Sequence, residues 1–87
     1  MTDQDPIERW SEEPFFLQLA RILRDRIRDG EFLPGMPLPS ESHLQQEYDL
    51  SRWVVRRTLG VLADEGYTRT VAKRGTVVRA REDWPEA

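Results

Sequence analysis

Apolar side chains recur along the first third of the chain at the spacing of one helix face. The residues at this spacing are Phe16, Leu19, Ala20, Leu23 and Ile27. Intervals of three and four residues bring side chains to one face of an α-helix. Pro14 suits the first helical position, and Gly30 can adopt the left-handed conformation that ends helices. The pattern therefore predicts a helix over about residues 14–29.

A loop rich in proline and glycine, residues 30–39, separates this helix from a second, shorter one. Its composition excludes a helix interior, although a short extended piece fits near residues 36–38. Ser40 stands directly before the next helical pattern, where a serine oxygen can accept a hydrogen bond from a first-turn amide. The sequence therefore predicts a second helix over about residues 41–48.

A third helix is predicted over about residues 52–65, close behind the second. Ser51 is the candidate for its N-cap, and Gly66 is its stop signal. Its buried stripe is expected to consist of three apolar residues, Val55, Leu59 and Leu62. Two short helices joined by three or four residues form the pattern of a helix-turn-helix.

β-branched residues dominate the chain after the third helix, where the helical periodicity stops. Residues 67–72 and 76–80 flank Lys73, Arg74 and Gly75, which predicts a two-stranded hairpin with a basic tip. A helix, a helix-turn-helix and a basic hairpin, in this order, indicate an α+β fold. The predicted fold is a small winged helix-turn-helix, with three helices and a two- or three-stranded β wing.

The chain of 87 residues is long enough for one domain. We expect a flexible N-terminal arm over residues 1–13, the winged helix-turn-helix over residues 14–80 and a C-terminal tail over residues 81–87. No apolar run of membrane length and no secretory signal are present, so we expect a cytoplasmic protein without a membrane partner.

The formal net charge of −3 conceals opposite charges in the two halves of the chain. Residues 1–51 contain five arginines and eleven acidic residues, whereas residues 52–81 contain eight basic residues and two acidic ones. Charge asymmetry of this kind is typical of nucleic-acid contact. The alternative is that the charged runs are ordinary solvated faces.

The same residues exclude several other classes of function. The chain contains no cysteine, which excludes disulfides, thiolate metal sites and cysteine nucleophiles. His43 is the single histidine, so no metal ligand set is expected. At an N-cap the oxygen of Ser40 is engaged by backbone amides, and no glycine-flanked nucleophile elbow is present. We therefore expect neither an enzyme nor a bound cofactor.

The exposed face of the third helix is the candidate contact surface. Trp53, Arg56 and Arg57 fall opposite the apolar stripe on a helical wheel. The major groove of DNA admits a helix, and an arginine can bind O6 and N7 of guanine there. Trp53 suits a thymine methyl or a deoxyribose, with packing on the second helix or the wing as its alternative. The alternative for both arginines is ion pairing with acids of the first two helices.

Phosphate contacts are expected around this face. Ser51 and the free amides behind it form a natural phosphate site, and Arg52 lies beside them at the helix start. Lys73 and Arg74 at the hairpin tip can reach backbone phosphates or the adjacent minor groove. The alternative is that these charges only keep the exposed hairpin tip soluble. The predicted partner is double-stranded DNA.

From Phe16 to Arg79 the sequence resembles the DNA-binding domain of the GntR (gluconate-repressor) family of bacterial transcriptional regulators. Two strings carry the resemblance: Pro-Gly-x-x-Leu-Pro-Ser-Glu at 34–41 and Ser-Arg-x-x-Val-Arg at 51–56. It implies transcriptional regulation, typically repression, at a palindromic operator. The full set of residues predicted to bind DNA is Ser40, Ser51, Arg52, Trp53, Val54, Arg56, Arg57, Lys73, Arg74 and Gly75.

The chain departs from the family pattern at the expected interface. The family usually has small hydroxyl residues where this chain has Trp53 and Val54, so their hydrogen bonds to DNA cannot form and the family's operator sequence does not transfer. Ser42 replaces a common arginine. Asp49 replaces a usual glycine, where a positive φ costs more.

Family members typically carry a second, C-terminal domain that binds a small-molecule effector and dimerises. We expect that domain to be absent from this chain, which is then either the DNA-binding part of a longer regulator or a stand-alone module. We expect a single copy to bind DNA weakly, because specific affinity usually requires two half-sites. A homodimer through residues 1–13 or Trp84 is the alternative. A different function class, a protein-binding winged helix, would use Trp53 and the acidic face of the first helix.

Overall fold

The computed structural model describes residues 5–85. Its elements follow one another as α1 (Phe15–Arg28), α2 (Glu41–Tyr48), α3 (Arg52–Glu65), β1 (Thr68–Val71) and β2 (Gly75–Val78), with a 3-10 turn at Arg81–Asp83. The predicted winged helix-turn-helix is confirmed, and each helix agrees with its predicted bounds to within one residue. Within the described range, no helix is long and apolar enough to cross a bilayer.

Both predicted serine caps are formed. The Oγ of Ser40 accepts a hydrogen bond from the amide of His43 at 3.1 Å, and that of Ser51 accepts one from the amide of Val54 at 3.2 Å. A cap of this kind stabilises a helix by about 1 kcal/mol. Asp49 ends α2 in the left-handed conformation, with φ 55°, which is the positive φ considered from the sequence.

The wing is an antiparallel hairpin in which Val71 pairs with Gly75, so residues 72–74 form its tip. Pro37 makes an isolated antiparallel bridge to Val77. The extended piece predicted in the proline-rich loop is therefore present and lies along β2.

The core lies between the three helices and the inner side of the wing. Its fully buried apolar side chains are Ile7, Leu19, Leu23, Ile27, Leu44, Val55, Leu62 and Tyr67. The predicted stripe of α3 is wrong at one position, because Leu59 is only half buried while Thr58 is completely buried. The Thr58 hydroxyl faces α1, where it lies 3.2 Å from the carbonyl of Phe16.

The flexible arm predicted over residues 1–13 differs from the structure in its described part, residues 5–13. This segment has no helix or strand, but Ile7 is 1% exposed and belongs to the core. The amide of Glu8 donates to Oε1 of Gln18 at 2.7 Å. A single apolar residue in a polar stretch has no periodicity, so the pattern could not indicate this packing. Residues 1–4 of the predicted arm lie outside the described range.

The tail is also packed against the domain. The Trp84 ring lies 5.6 Å from that of Tyr67, and its indole Nε1 donates to the carbonyl of Arg79 at 3.1 Å. The ring considered as a dimer contact is therefore engaged within its own chain. Residues 86 and 87 of the tail lie outside the described range.

Candidate nucleic-acid interface

The exposed face of α3, the start of α2 and the wing enclose an open groove of about 670 Å³. Ser40 and Glu41 line it from α2, Arg56 and Gly60 line it from α3, and Arg74 lines it from the wing. The third helix and the wing tip therefore present arginines to the same concave surface, as a joint contact with one duplex requires.

Arg56 is paired across this groove with an acid of α2. Its Nε lies 3.2 Å from both carboxylate oxygens of Glu41, so the ion-pair alternative applies to this arginine. The Arg56 side chain remains 62% exposed and that of Glu41 38%. An exposed pair contributes only about 0–1 kcal/mol, so a DNA acceptor can displace the carboxylate at low cost. The pair places Arg56 over the groove.

Arg57 lies beside α1, outside the groove that Arg56 lines. Its guanidinium carbon is 4.6 Å from the ring centroid of Phe16 and 6.0 Å from that of Trp53. Both are cation–π distances. The two neighbouring arginines of α3, treated alike in the sequence analysis, therefore have different surroundings.

The two residues that depart from the family pattern, Trp53 and Val54, also have different surroundings. Trp53 is 66% exposed, and its ring centroid lies 6.0 Å from the guanidinium carbon of Arg57. Val54 is half buried and packs against the core. Because of this packing, the side chain of Val54 faces the interior rather than the groove, and its amide donates to the Ser51 cap.

The remaining candidates are exposed at the ends of their elements. Arg52 begins α3, and Lys73 and Arg74 lie at the wing tip, where Lys73 has φ 68° and Gly75 has φ 83°. None of these three cations makes an ion pair with another residue in the range 5–85. Ser51 is exposed as well, with its hydroxyl engaged in the cap.

The first-half acids that form ion pairs do so mainly with arginines of the same half. These pairs are Arg9–Asp5, Arg21–Glu13, Arg26–Glu31 and Arg26–Glu47. Among ion pairs between described residues, only Glu41–Arg56 joins a first-half acid to a cation of α3 or the wing. The positive charge of the second half therefore remains largely available at the surface.

Sequence reasoning missed the hydroxyls that the wing contributes to the groove. Thr70 and Thr76 are paired across β1 and β2, and both line the groove opposite Arg56. Alternate residues of a strand lie on one face, so the register of the hairpin could have indicated them. Glu41, which pairs with Arg56, was not singled out by the sequence, which indicated only that acids of the first two helices could pair with the arginines of α3.

A helix-turn-helix formed by α2 and α3, with α3 exposed beside a β hairpin, defines a winged helix-turn-helix domain. The family model described as bacterial regulatory proteins, gntR family, matches residues 16–78. The chain belongs to the GntR family, as the two motif strings predicted.

Similar curated proteins are transcriptional regulators. The transcriptional repressor NagR of Bacillus subtilis is 38% identical over 72 residues, which are 83% of this chain and 30% of NagR. The mannosyl-D-glycerate transport/metabolism system repressor MngR of Escherichia coli is 37% identical over 67 residues, covering 77% of this chain and 28% of MngR. This chain therefore spans less than a third of the length of these relatives.

Similar solved structures extend over most of the chain. YtrA from Sulfolobus acidocaldarius, a GntR-family transcription factor, has a TM-score of 0.79 at 31% identity, covering 88% of this chain and 81% of YtrA. The DNA-binding domain of AraR in complex with operator ORR3 has a TM-score of 0.74 at 28% identity, covering 90% of this chain and 94% of that domain.

Proposed function

We propose that this chain is the DNA-binding domain of a transcriptional regulator and binds double-stranded operator DNA. Helix α3 enters the major groove, and the wing tip contacts the backbone or the adjacent minor groove. The observation that carries the proposal is the groove that both Arg56 and Arg74 line; within residues 5–85, Glu41 is the one first-half acid that pairs with a cation lining it. The AraR domain, similar along most of its length, is bound to an operator.

Arg56 is the residue proposed to read a base. It lies on the exposed side of α3, and a guanidinium is matched to O6 and N7 of guanine. Exchange of the Glu41 carboxylate for guanine keeps the arginine charge-paired or hydrogen-bonded throughout. Trp53 supplies an apolar surface for a thymine methyl or a deoxyribose, and Arg57 supports its ring from the α1 side.

The other candidates are proposed to hold phosphates and fix the register of the domain on the duplex. Arg52 and the amides after Ser51 take a phosphate at the start of α3, and Ser40 shapes the equivalent start of α2. Lys73, Arg74 and the open turn at Gly75 take the backbone beside the wing. Phosphate contacts of this kind position a protein without reading sequence.

Regulation by this domain is proposed to require two copies on a palindromic operator, because one winged helix covers a single half-site. Ile7 and Trp84 pack within their own chain, and we assign the dimer contacts to a longer regulator of which this chain is a part. We place such a regulator in the cytoplasm and assign it no catalytic role. A protein-docking role is not favoured, since α1, whose acidic face it would use, contains four arginines and a single acidic residue, Asp25.

The direct test is a titration of a labelled random duplex with the chain at several salt concentrations. We expect the logarithm of the affinity to fall linearly with the logarithm of salt concentration, because phosphate contacts release counterions. Binding to a duplex selected from a random pool should exceed binding to the random duplex at each salt concentration. A complete lack of salt-dependent binding would reject the proposal in favour of a protein partner.

Lys73→Ala should weaken binding to selected and random duplexes about equally and lower the salt slope by about one. Lys73 is exposed at the wing tip without an ion pair in the described range, so the substitution removes one phosphate contact. Equilibrium titrations of both duplexes across salt measure the slope. Arg28→Ala is the matched control, because Arg28 is exposed at the end of α1 and does not line the groove. A loss confined to the selected duplex would contradict the assignment.

A further inference from the structure

Arg9 ties the segment before α1 to the turn of the helix-turn-helix. Its Nη2 donates to the carbonyl of Tyr48 at 2.6 Å, and its Nη1 donates to the carbonyl of Asp49 at 3.0 Å. Its Nε donates to Oδ2 of Asp5 at 2.8 Å. All three nitrogens of one guanidinium are therefore engaged, two of them by backbone almost 40 residues away in sequence.

The acceptors of Arg9 lie where α2 ends and the turn toward α3 begins. The last carbonyls of a helix have no intrahelical partner, and a positive charge there is favourable to the helix dipole. Asp49 holds φ 55°, a conformation that costs a non-glycine residue free energy. Two residues later, Ser51 caps α3. The conformation at Asp49 therefore sets the direction in which α3 leaves the turn.

The segment that carries Arg9 is itself anchored. We name residues 5–13 the strap. Ile7 of the strap lies in the core at 1% exposure, and the buried Gln18 side chain donates to the carbonyls of Glu8 at 3.2 Å and Glu13 at 2.9 Å. The guanidinium of Arg9 also lies 5.5 Å from the ring centroid of Phe15. The strap is thus fixed at both ends, with Arg9 between them.

Asp5 orients the guanidinium from the opposite side. The hydrogen bond from Arg9, together with one from the amide of Ile7, lowers the pKa of the Asp5 carboxyl below its ordinary value. The carboxylate is therefore charged at neutral pH. Tyr48, in turn, is held from two sides, because its hydroxyl accepts from Nη1 of Arg26 at 2.7 Å while its carbonyl accepts from Arg9.

We propose that the strap positions the recognition helix: Arg9, acting through the carbonyls of Tyr48 and Asp49, holds the turn in the conformation that presents α3 to DNA. Arg9 is a positioning residue and makes no contact with DNA. The strap precedes the part of the chain that the family model matches, residues 16–78, whereas the turn that Arg9 holds lies within it. The inference rests on the proposed DNA-binding function.

The test compares the wild-type chain with Arg9→Ala and Arg9→Lys. The probes are a duplex that the wild-type chain selects from a random pool and a random duplex of equal length, each titrated across salt. We expect Arg9→Ala to weaken binding to the selected duplex about tenfold. The salt slope should not change, because no phosphate contact is lost. Arg9→Lys should restore part of the affinity, since one ammonium nitrogen cannot reach the three acceptors that the guanidinium spans.

Amide hydrogen exchange separates positioning from general stability. In Arg9→Ala we expect faster exchange of the amides of Leu50 and Val54, with the protection of Leu23 in the core of α1 retained. Asp5→Asn is the matched control, because it leaves both carbonyl hydrogen bonds of Arg9 in place and should change affinity less. Should Arg9→Ala unfold at the binding temperature, Arg9→Lys and Asp5→Asn carry the same comparison.

Three results would overturn the inference. Equal affinity of the wild-type chain and the Arg9 variants for the selected duplex would show that the strap does not position α3. A salt slope lowered by about one would identify Arg9 as a direct phosphate contact instead. A wild-type chain that binds no duplex would reject the proposed function and this inference with it, whereas the first two results leave that function intact.

Discussion

Arg56→Ala is expected to weaken binding to a selected duplex by about 1–3 kcal/mol and to relax the preference at one base pair. The loss has this size because a bidentate contact between arginine and guanine discriminates by that amount. Arg56 is placed for such a contact because its side chain is 62% exposed and lines the groove shared with the wing. Titration of the selected duplex and its single base-pair variants at one salt concentration measures both effects.

Arg57→Ala is the matched control for Arg56→Ala. Arg57 is the next residue of the same helix and carries the same charge, but it stacks on Phe16 instead of lining the groove. Its removal should cost less affinity and leave the preference at the base pair read by Arg56 unchanged. Equal losses from Arg56→Ala on selected and random duplexes would argue against base reading and reduce Arg56 to a phosphate contact.

Glu41→Gln extends this prediction to the partner of Arg56. Loss of the carboxylate removes a negative charge from the groove and the ion pair that holds Arg56 there. We expect tighter binding to random duplex, because one repulsive charge is gone, together with a smaller ratio of selected to random affinity. An unchanged ratio would mean that DNA alone orients Arg56.

The fold was predictable because its signals are local. The apolar stripe of α1, the serine caps at Ser40 and Ser51 and the stop at Gly66 each operate within one helix or one turn. The hairpin was recognisable for the same reason, since β-branched runs flank a basic turn. Such signals indicate where elements begin and end, and the order of the elements along the chain then indicated a winged helix-turn-helix.

The contacts that sequence reasoning missed join residues far apart in the chain. Ile7 enters the core from a polar segment, and Arg9 reaches carbonyls almost 40 residues away. Thr58 is buried because α1 crosses that side of α3, which a wheel drawn for α3 alone does not show. These contacts depend on tertiary packing, for which the local pattern carries no signal.

The candidate site was predictable in outline and not in detail. The basic second half located the surface, and the wheel placed Arg56 and Arg57 opposite the core. The different partners of these arginines, Glu41 and Phe16, come from two other helices. The sequence pattern therefore indicated where positive charge lies, whereas the structure was needed to distinguish Arg56, which lines the groove, from Arg57, which stacks on Phe16.

Gly66→Ala is expected to lower the free energy of unfolding by about 2–4 kcal/mol. Gly66 ends α3 with φ 98°, where a Cβ atom costs about 1–2 kcal/mol by itself. In addition, that Cβ would lie 2.6 Å from the carbonyl oxygen of Asp83, which is backbone and cannot rotate aside. Relief of the clash requires the 3-10 turn Arg81–Asp83 to move and carries Trp84 away from Tyr67. Thermal and urea unfolding measure the loss.

Gly30→Ala separates the two causes of that loss. Gly30 has a similar φ of 92°, but a Cβ added there meets no atom within 4 Å. It should therefore cost only the backbone part, about 1–2 kcal/mol. The excess of Gly66→Ala over Gly30→Ala then measures how firmly the tail is held against the end of α3. With Trp10 and Trp53 replaced by phenylalanine, Trp84 is the single tryptophan. Its fluorescence should then change in Gly66→Ala and not in Gly30→Ala, because only the first substitution displaces the turn beneath that ring. Equal destabilisation by both would mean that the tail yields freely and contributes little to the domain.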